Sequence, residues 1–201
     1  RVCWCVICAG VSNAIDFNIN DQSQRKSEIT KADIVISLLP PALHTIAAIE
    51  CLSESKNLVT ASYVSEQMSA LNNDVKNKNL IFLNECGLDP GIDHMSAMQI
   101  IHSLQSKGAE ITSFKSFTGG LVSPESNNNP WGYKFTWNPK NVILAGQGTA
   151  LYKQNRKNKF TPYHRLFSQT EKINISGTGQ FEGYANRNSN AYTETYNLKN
   201  I

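Results

Sequence analysis

The sequence predicts an α/β fold, with a parallel sheet in its first half and an α+β region with a mixed or antiparallel sheet in its second. Three observations predict it. Short unbroken runs of β-branched residues and leucine recur at 33–39 (DIVISLL), 58–61 (LVTA) and 80–83 (LIFL), the pattern of strands buried on both faces. Segments of helical period separate these runs. Beyond about residue 108 the pattern becomes period-two alternation, interrupted by Gly119-Gly120 and an Asn-rich loop.

The elements follow in order. Residues 15–19 (IDFNI) read as a strand and 21–30 as a short helix or turn. The run at 33–39 ends at Pro40-Pro41, where proline stops a buried strand. Leu43, Ile46, Ala47, Ile49 and Leu52 then fall at helical spacing over 42–53. Ser65 can cap a helix carrying Met68, Leu71 and Val75. A further helix is expected over 91–106. Strand, helix, strand, helix, strand at this rhythm predicts a βαβαβ unit, covered on both faces, with all strand C-terminal ends along one edge. In the second half, 110–118 and 133–137 alternate as strands, 141–152 has helical character, and 172–175 and 181–185 read as strands. The boundary is placed at 107/108, giving regions 1–107 and 108–201.

Composition narrows the function classes. The chain has 201 residues, 40% of them hydrophobic and 17% charged, with a formal net charge of +3. The basic residues Lys153, Arg156, Lys157, Lys159 and Arg165 are interrupted by polar residues and share no helical face, so a solvated loop is expected rather than a nucleic-acid surface. No apolar run reaches membrane-spanning length. Five cysteines, Cys3, Cys5, Cys8, Cys51 and Cys86, form no even framework, which fits reduced thiols and a cytoplasmic location. Cys3, Cys5 and Cys8 make C-x-C-x-x-C, but no second Cys/His cluster completes four ligands, so no metal site is expected. The chain starts at Arg1 without Met, which reads as a fragment.

Ligands in a sheet of this kind sit past the strand C-terminal ends. Three segments lie there: Ser37-Leu38-Leu39-Pro40, Ser62-Tyr63, and 84–91 (NECGLDPG). A serine at a strand end can hydrogen-bond a ribose or a carboxylate, and a tyrosine can stack or donate. Asp89 has N-cap chemistry, Pro90 suits a first helical position, and the free N–H groups of a helix start suit an anion. Asp93 and His94 follow on the first turn. In the second half, residues 184–189 (YANRNS) form a polar cluster in which Arg187 can clamp a carboxylate. Gly177-x-Gly179-x-x-x-Gly183 has the wrong spacing for a dinucleotide loop and reads as a turn before a strand; G-x-G-x-x-G occurs nowhere in the chain.

Taken together, DIVISLLPPALH (33–44), LVTASYVS (58–65), LNECGLDPGIDHMSA (83–97), SFTGGLVSPESNNNPWGYKFTWNP (116–139) and YANRNS (184–189) resemble the glutamate-forming saccharopine dehydrogenase, or saccharopine reductase, family. The stretches thread nearly the whole chain, and the GLDPGIDH and GGL-to-GYKFTW blocks are the specific ones. The resemblance implies the C-terminal half of a Rossmann parallel sheet, with its Gly-rich first half lying before residue 1, followed by part of the family's substrate domain. It implies oxidation of the secondary amine of saccharopine by NAD or NADP, giving glutamate and 2-aminoadipate 6-semialdehyde. It implies Ser37, Leu38, Ser62, Tyr63, Leu88 and Asp89 around the cofactor and the reacting amine; it transfers no single acid–base residue, and Asp89 is taken as the catalytic candidate that orients amine or water. It implies Tyr184, Asn186 and Arg187 on the substrate carboxylates, with Lys134 a second cationic candidate. A small-molecule substrate is the expected partner, with no nucleic acid and no membrane, and a homodimer is compatible with the full-length protein.

The chain departs from the family pattern at Pro41, where fungal members carry Tyr, at Asn188, where they carry Asp, and at Lys140, where Arg is usual. Those departures leave the exact substrate open. A related carboxyalkyl-amine reductase, such as one acting on carboxynorspermidine, and a non-catalytic binding protein on the same fold are the alternatives. Without the Gly-rich loop, the 201-residue chain is expected to bind NADP poorly and to show no turnover.

Overall fold

The computed structural model describes residues 15–136 and 138–198. The chain divides into two compact units, Arg1–Ser96 and Ala97–Ile201. The division falls inside a helix rather than after it.

In the first unit, helix α1 (Gln22–Thr30) starts where the Asp21 carboxylate accepts from the Gln24 N–H at 3.1 Å. Residues 15–19, expected as a strand, form none. The Gln24 side chain accepts from the Asn18 N–H and donates to the Asp16 carbonyl, which takes up backbone groups a ladder would use. Strand β1 (Ile34–Ser37) leads through a 3-10 turn, Pro41–Leu43, into α2 (His44–Ser53). Strand β2 (Asn57–Thr60) is followed by α3 (Glu66–Ala70), capped by Ser65 at the Met68 N–H, and by α4 (Asn72–Asn77). The single helix expected here is two, because the chain closes a tight turn at Leu71 before Asn72-Asn73, poor helix formers. Strand β3 is only Phe82–Leu83, because the Asn57 side chain accepts the Ile81 N–H ahead of the ladder.

The three strands form a parallel sheet in the order β1-β2-β3, with Ser37 opposite Thr60 and Val59 opposite Leu83. One face packs Leu58, Val35 and Phe82 on Ile29, Ala48, Cys51 and Met68. The other face was expected to be covered as well, but Ile34, Ile36 and Leu83 on it are exposed. Arg25 ties α1 to α2 through a 2.9 Å ion pair with buried Glu50 and donates to the Ile19 carbonyl. Burial in this core, with Glu50 adjacent, pushes the Cys51 thiol up to about 12.

Helix α5 (Ile92–Gln105) spans the division. In the second unit, Ala97 and Ile101 from its C-terminal half pack with Tyr196 and Leu198, flanked by Ile111 and Phe114. Helix α6 (Pro139–Ala145) is capped by Asn138. Two antiparallel hairpins follow: β4 (Ala150–Gln154) with β5 (Lys157–Thr161), and β6 (Thr170–Ile175) with β7 (Gly179–Tyr184). Helix α7 (Ala191–Thr195) comes last. The second-half sheet is thus two separate two-stranded sheets among the described residues, not one mixed sheet.

Three further expectations are corrected here. Residues 110–118 and 133–136 are not strands (Trp137 lies outside the described residues); their alternation records half-burial, with Ile111 and Phe114 on the core, and no ladder partner. The helix read over 141–152 stops at Ala145, since Gly146 and Gly148 break it, and β4 starts at Ala150. Of the basic residues, Lys153, Arg156, Lys157 and Lys159 lie on the β4–β5 hairpin, turned by Asn155 and Arg156 with φ of 51° and 63°, the conformation of a two-residue type I′ turn, while Arg165 lies in the 3-10 turn Tyr163–Ser168.

Candidate functional site

Because β1, β2 and β3 run the same way, their C-terminal ends share one edge. The loops leaving that edge are joined to one another. The Glu85 N–H donates to the Ser62 carbonyl at 3.1 Å and the Cys86 N–H to the Thr60 carbonyl at 3.0 Å. The Thr60 hydroxyl donates to the Asn84 side-chain oxygen at 3.1 Å. Gly87 lies so close to Ala61 that a Cβ would sit 3.2 Å from the Ala61 carbonyl oxygen and Cβ. Ser37, Ser62, Tyr63 and the GLDPG loop therefore stand together.

One residue at this edge was not singled out from the sequence. The 3-10 turn Pro41–Leu43 brings His44 over the strand ends, where it is 4% exposed. Its Nδ1 lies 2.8 Å from Ser37 Oγ, and its Nε2 lies 2.8 Å from Ser62 Oγ. Burial holds the imidazole below its ordinary range, so it is neutral near pH 7. The available signal was a histidine one turn past a strand end, between two strands that each end near a serine. Ser37 itself is buried, so its hydroxyl is spent on His44 rather than turned outward.

The GLDPG loop differs from its expected form. Asp89 is not the helix cap. Helix α5 begins at Ile92, three residues later. The Asp89–Pro90 bond is cis. The Asp89 carboxylate instead accepts from the Tyr63 hydroxyl at 2.9 Å, and both groups are exposed. The helix-start N–H groups are not free for an anion either: Gly91 N–H donates to the Asp93 carboxylate, Ile92 N–H to the Gly87 carbonyl and Asp93 N–H to the Leu88 carbonyl. Gly91, at φ 149°, allows this closure, because a Cβ there would lie 2.0 Å from the Gly87 carbonyl oxygen. Leu38 and Leu88 are 51% and 70% exposed, which leaves two apolar side chains uncovered at the edge.

In the second unit, the loop carrying Tyr184, Asn186 and Arg187 is fixed through its backbone. The Leu151 N–H donates to the Arg187 carbonyl at 2.8 Å, and the Ser189 N–H donates to the Leu151 carbonyl at 2.8 Å. The Tyr184 ring meets Phe167 edge-on at 4.9 Å between centroids. Asn186 and Arg187 are exposed, and Arg187 has φ 43°. Among the described residues no carboxylate pairs with its guanidinium. Such an arginine on an anchored loop is available for a bidentate bond to a carboxylate.

The model of the saccharopine dehydrogenase C-terminal domain matches residues 87–201. Over 192 residues the chain is 36% identical to saccharopine dehydrogenase [NADP(+), L-glutamate-forming] of Pyricularia oryzae, covering 94% of this chain and 43% of that protein. The chain belongs to the saccharopine dehydrogenase family. It is also 38% identical over 194 residues to the alpha-aminoadipic semialdehyde synthase of Arabidopsis thaliana, covering 94% of this chain and 18% of that protein. The apo saccharopine dehydrogenase (L-Glu forming) of Saccharomyces cerevisiae superposes with a TM-score of 0.85 at 32% identity, over 93% of this chain and 42% of that one. The chain thus spans less than half the length of the family members it matches.

Other expectations can be placed as far as the structure reaches. Cys3, Cys5 and Cys8 lie outside the described residues. Among the described residues, no group of three or more His, Cys, Asp or Glu side chains could hold a metal ion. No described helix is long and apolar enough to cross a membrane.

Proposed function

We propose that this saccharopine dehydrogenase family chain is part of an oxidoreductase that oxidises the secondary amine of saccharopine with NADP. Saccharopine, oxidised dinucleotide and water give glutamate, 2-aminoadipate 6-semialdehyde, reduced dinucleotide and a proton. In this reading the parallel strands are the C-terminal half of a Rossmann sheet, and the second unit is part of the substrate domain. The carrying observation is the shared edge: three parallel strand ends whose loops interlock around Ser62, Tyr63 and Asp89.

The residues at that edge fit a nicotinamide nucleotide. Exposed Leu38 and Leu88 offer apolar contact for a flat ring, and the Ser62 and Tyr63 hydroxyls offer polar contact. When bound, the oxidised dinucleotide takes up the hydride. The NADP(+)-dependent saccharopine dehydrogenase of Pyricularia oryzae supports NADP over NAD in this reading.

The residues of the chain divide the remaining work. Tyr63 holds Asp89 by one carboxylate oxygen, which leaves the other to accept from the substrate amine or from water. Arg187, with Asn186 and Tyr184, takes substrate carboxylates, and Lys134 adds a second cation.

The test uses the complete gene product and follows NADPH formation. Saccharopine is expected to support turnover and carboxynorspermidine to be far slower. Equal rates would break the narrower assignment, and binding of ligand without turnover would favour a sensor. Asp89→Asn is expected to lower kcat by about a hundredfold, the size of a lost acid–base or orienting group. Arg187→Lys is expected to raise KM for saccharopine, since lysine cannot make the two-pronged bond.

A further inference from the structure

Ser37, His44 and Ser62 form a closed chain of two 2.8 Å hydrogen bonds across the ends of β1 and β2. A neutral imidazole has one N–H and one bare nitrogen. One serine must therefore accept from the ring and the other must donate to it, so the two hydroxyls cannot be equivalent. Burial decides which is which. Ser37 is 4% exposed, and among the described residues its hydroxyl has no other hydrogen-bond partner than His44. Were Ser37 to accept from Nδ1–H, its own O–H would be buried without an acceptor, which costs the full desolvation of that group. Ser37 avoids this by donating to Nδ1. The ring proton then sits on Nε2 and is donated to Ser62. The Ser62 hydroxyl, already an acceptor, keeps its own proton for something else, and Ser62 is only half-buried at the strand edge.

We propose that His44 is a positioning residue: held by Ser37 as its Nε2–H tautomer, it presents the half-exposed Ser62 hydroxyl as a hydrogen-bond donor to an acceptor oxygen of the dinucleotide. The ligand half of this inference rests on the reading of the edge as the dinucleotide face; the tautomer half does not. His44 does not touch the ligand and acts through Ser62. Its effect is to convert a hydroxyl that could point either way into a fixed donor, which lowers the ordering cost of binding.

Two measurements test it. Nitrogen-15 NMR of the histidine rings in the 201-residue chain, with His44 assigned by its Gln variant, reads the tautomer directly. The expected signature is a protonated Nε2 and a bare Nδ1 at pH 7. A protonated Nδ1 with bare Nε2, or an imidazolium, overturns the proposal. The second measurement is NADPH affinity of the complete gene product. His44→Ala is expected to weaken it about five- to tenfold, the value of one hydrogen bond. His44→Gln, whose amide N–H reaches the place of Nε2–H, is expected to restore most of it. His44→Asn, which reaches only the place of Nδ1, is expected not to. Equal losses in all three variants, with melting temperatures unchanged, would overturn the positioning role. If the wild type shows the expected tautomer but binds no NADPH, the dinucleotide reading fails and the ligand half of the proposal falls with it, while the buried chain stands.

Discussion

The two units hold their candidate site side chains in different ways. In the first, one parallel sheet buries Leu58, Ala48 and Cys51 at 1%, 0% and 0% exposure, and polar side chains at its edge bond to one another: Ser37 to His44 to Ser62, Thr60 to Asn84, Tyr63 to Asp89. In the second, the sheets have two strands each, too few to close a core alone; Ala97 and Ile101 of α5 pack with Tyr196 and Leu198 just past α7, and Ala150, Thr161 and Leu166 are buried around the first hairpin. The loop with Arg187 is held by backbone bonds to Leu151 while its side chains stay exposed. The first unit pre-sets hydroxyls and a carboxylate in fixed directions, which the proposed function would use to orient a reacting bond. The second presents a long cation on a fixed backbone, which suits a carboxylate with freedom to adjust.

Substitutions that strain each unit sharpen the contrast. The largest effect is expected from Gly91→Ala, where the new Cβ would meet the Gly87 backbone at 2.0–2.7 Å. Backbone cannot give way as a side chain can, so a loss of more than about 3 kcal/mol is expected, roughly 6–12 °C in thermal melting. Gly177→Ala, at φ 76° with nothing within 4 Å, should cost only the left-handed backbone penalty of about 1 kcal/mol. Comparable losses at the two glycines would erase the distinction between a packed loop and an open hairpin tip.

Removing a buried charge partner comes next. Arg25→Ala leaves Glu50 buried without its cation, the paired side chains being 13% and 7% exposed, and is expected to cost about 3 kcal/mol in urea unfolding. A smaller effect is expected from pH. The folded pKa of His44 lies below its ordinary value of 6.5, so the folded state binds fewer protons than the unfolded one. The stability contribution is full above pH 6.5 and is lost as pH falls from there through the folded pKa. Ser37 and Ser62 are the groups bonded to the ring. Urea midpoints across this range should fall less steeply for His44→Gln than for the wild type. The smallest effect belongs to the second unit: Lys115 and Glu171 pair at 2.6 Å with side chains 59% and 49% exposed, and Lys115→Ala should change stability by no more than about 1 kcal/mol.

By itself the sequence determined the parallel sheet, the edge at which its loops meet, and the membership of Ser62, Tyr63 and Asp89 in that edge. Apolar runs of β-branched residues, punctuated by prolines and a serine cap, are local signals, and a right-handed crossover leaves little freedom in where the strand ends point. Only the tertiary structure decided which partner each polar group takes. Asp89 has cap chemistry, yet it bonds Tyr63 because Gly91 lets the loop fold its own N–H groups inward. The alternating residues of 110–118 look like a strand but find no ladder. His44 stands out only once β1 and β2 lie side by side and bring Ser37 and Ser62 to its two nitrogens. Hydrogen bonds between side chains far apart in the chain leave no periodic trace, since they depend on which atoms burial has deprived of water.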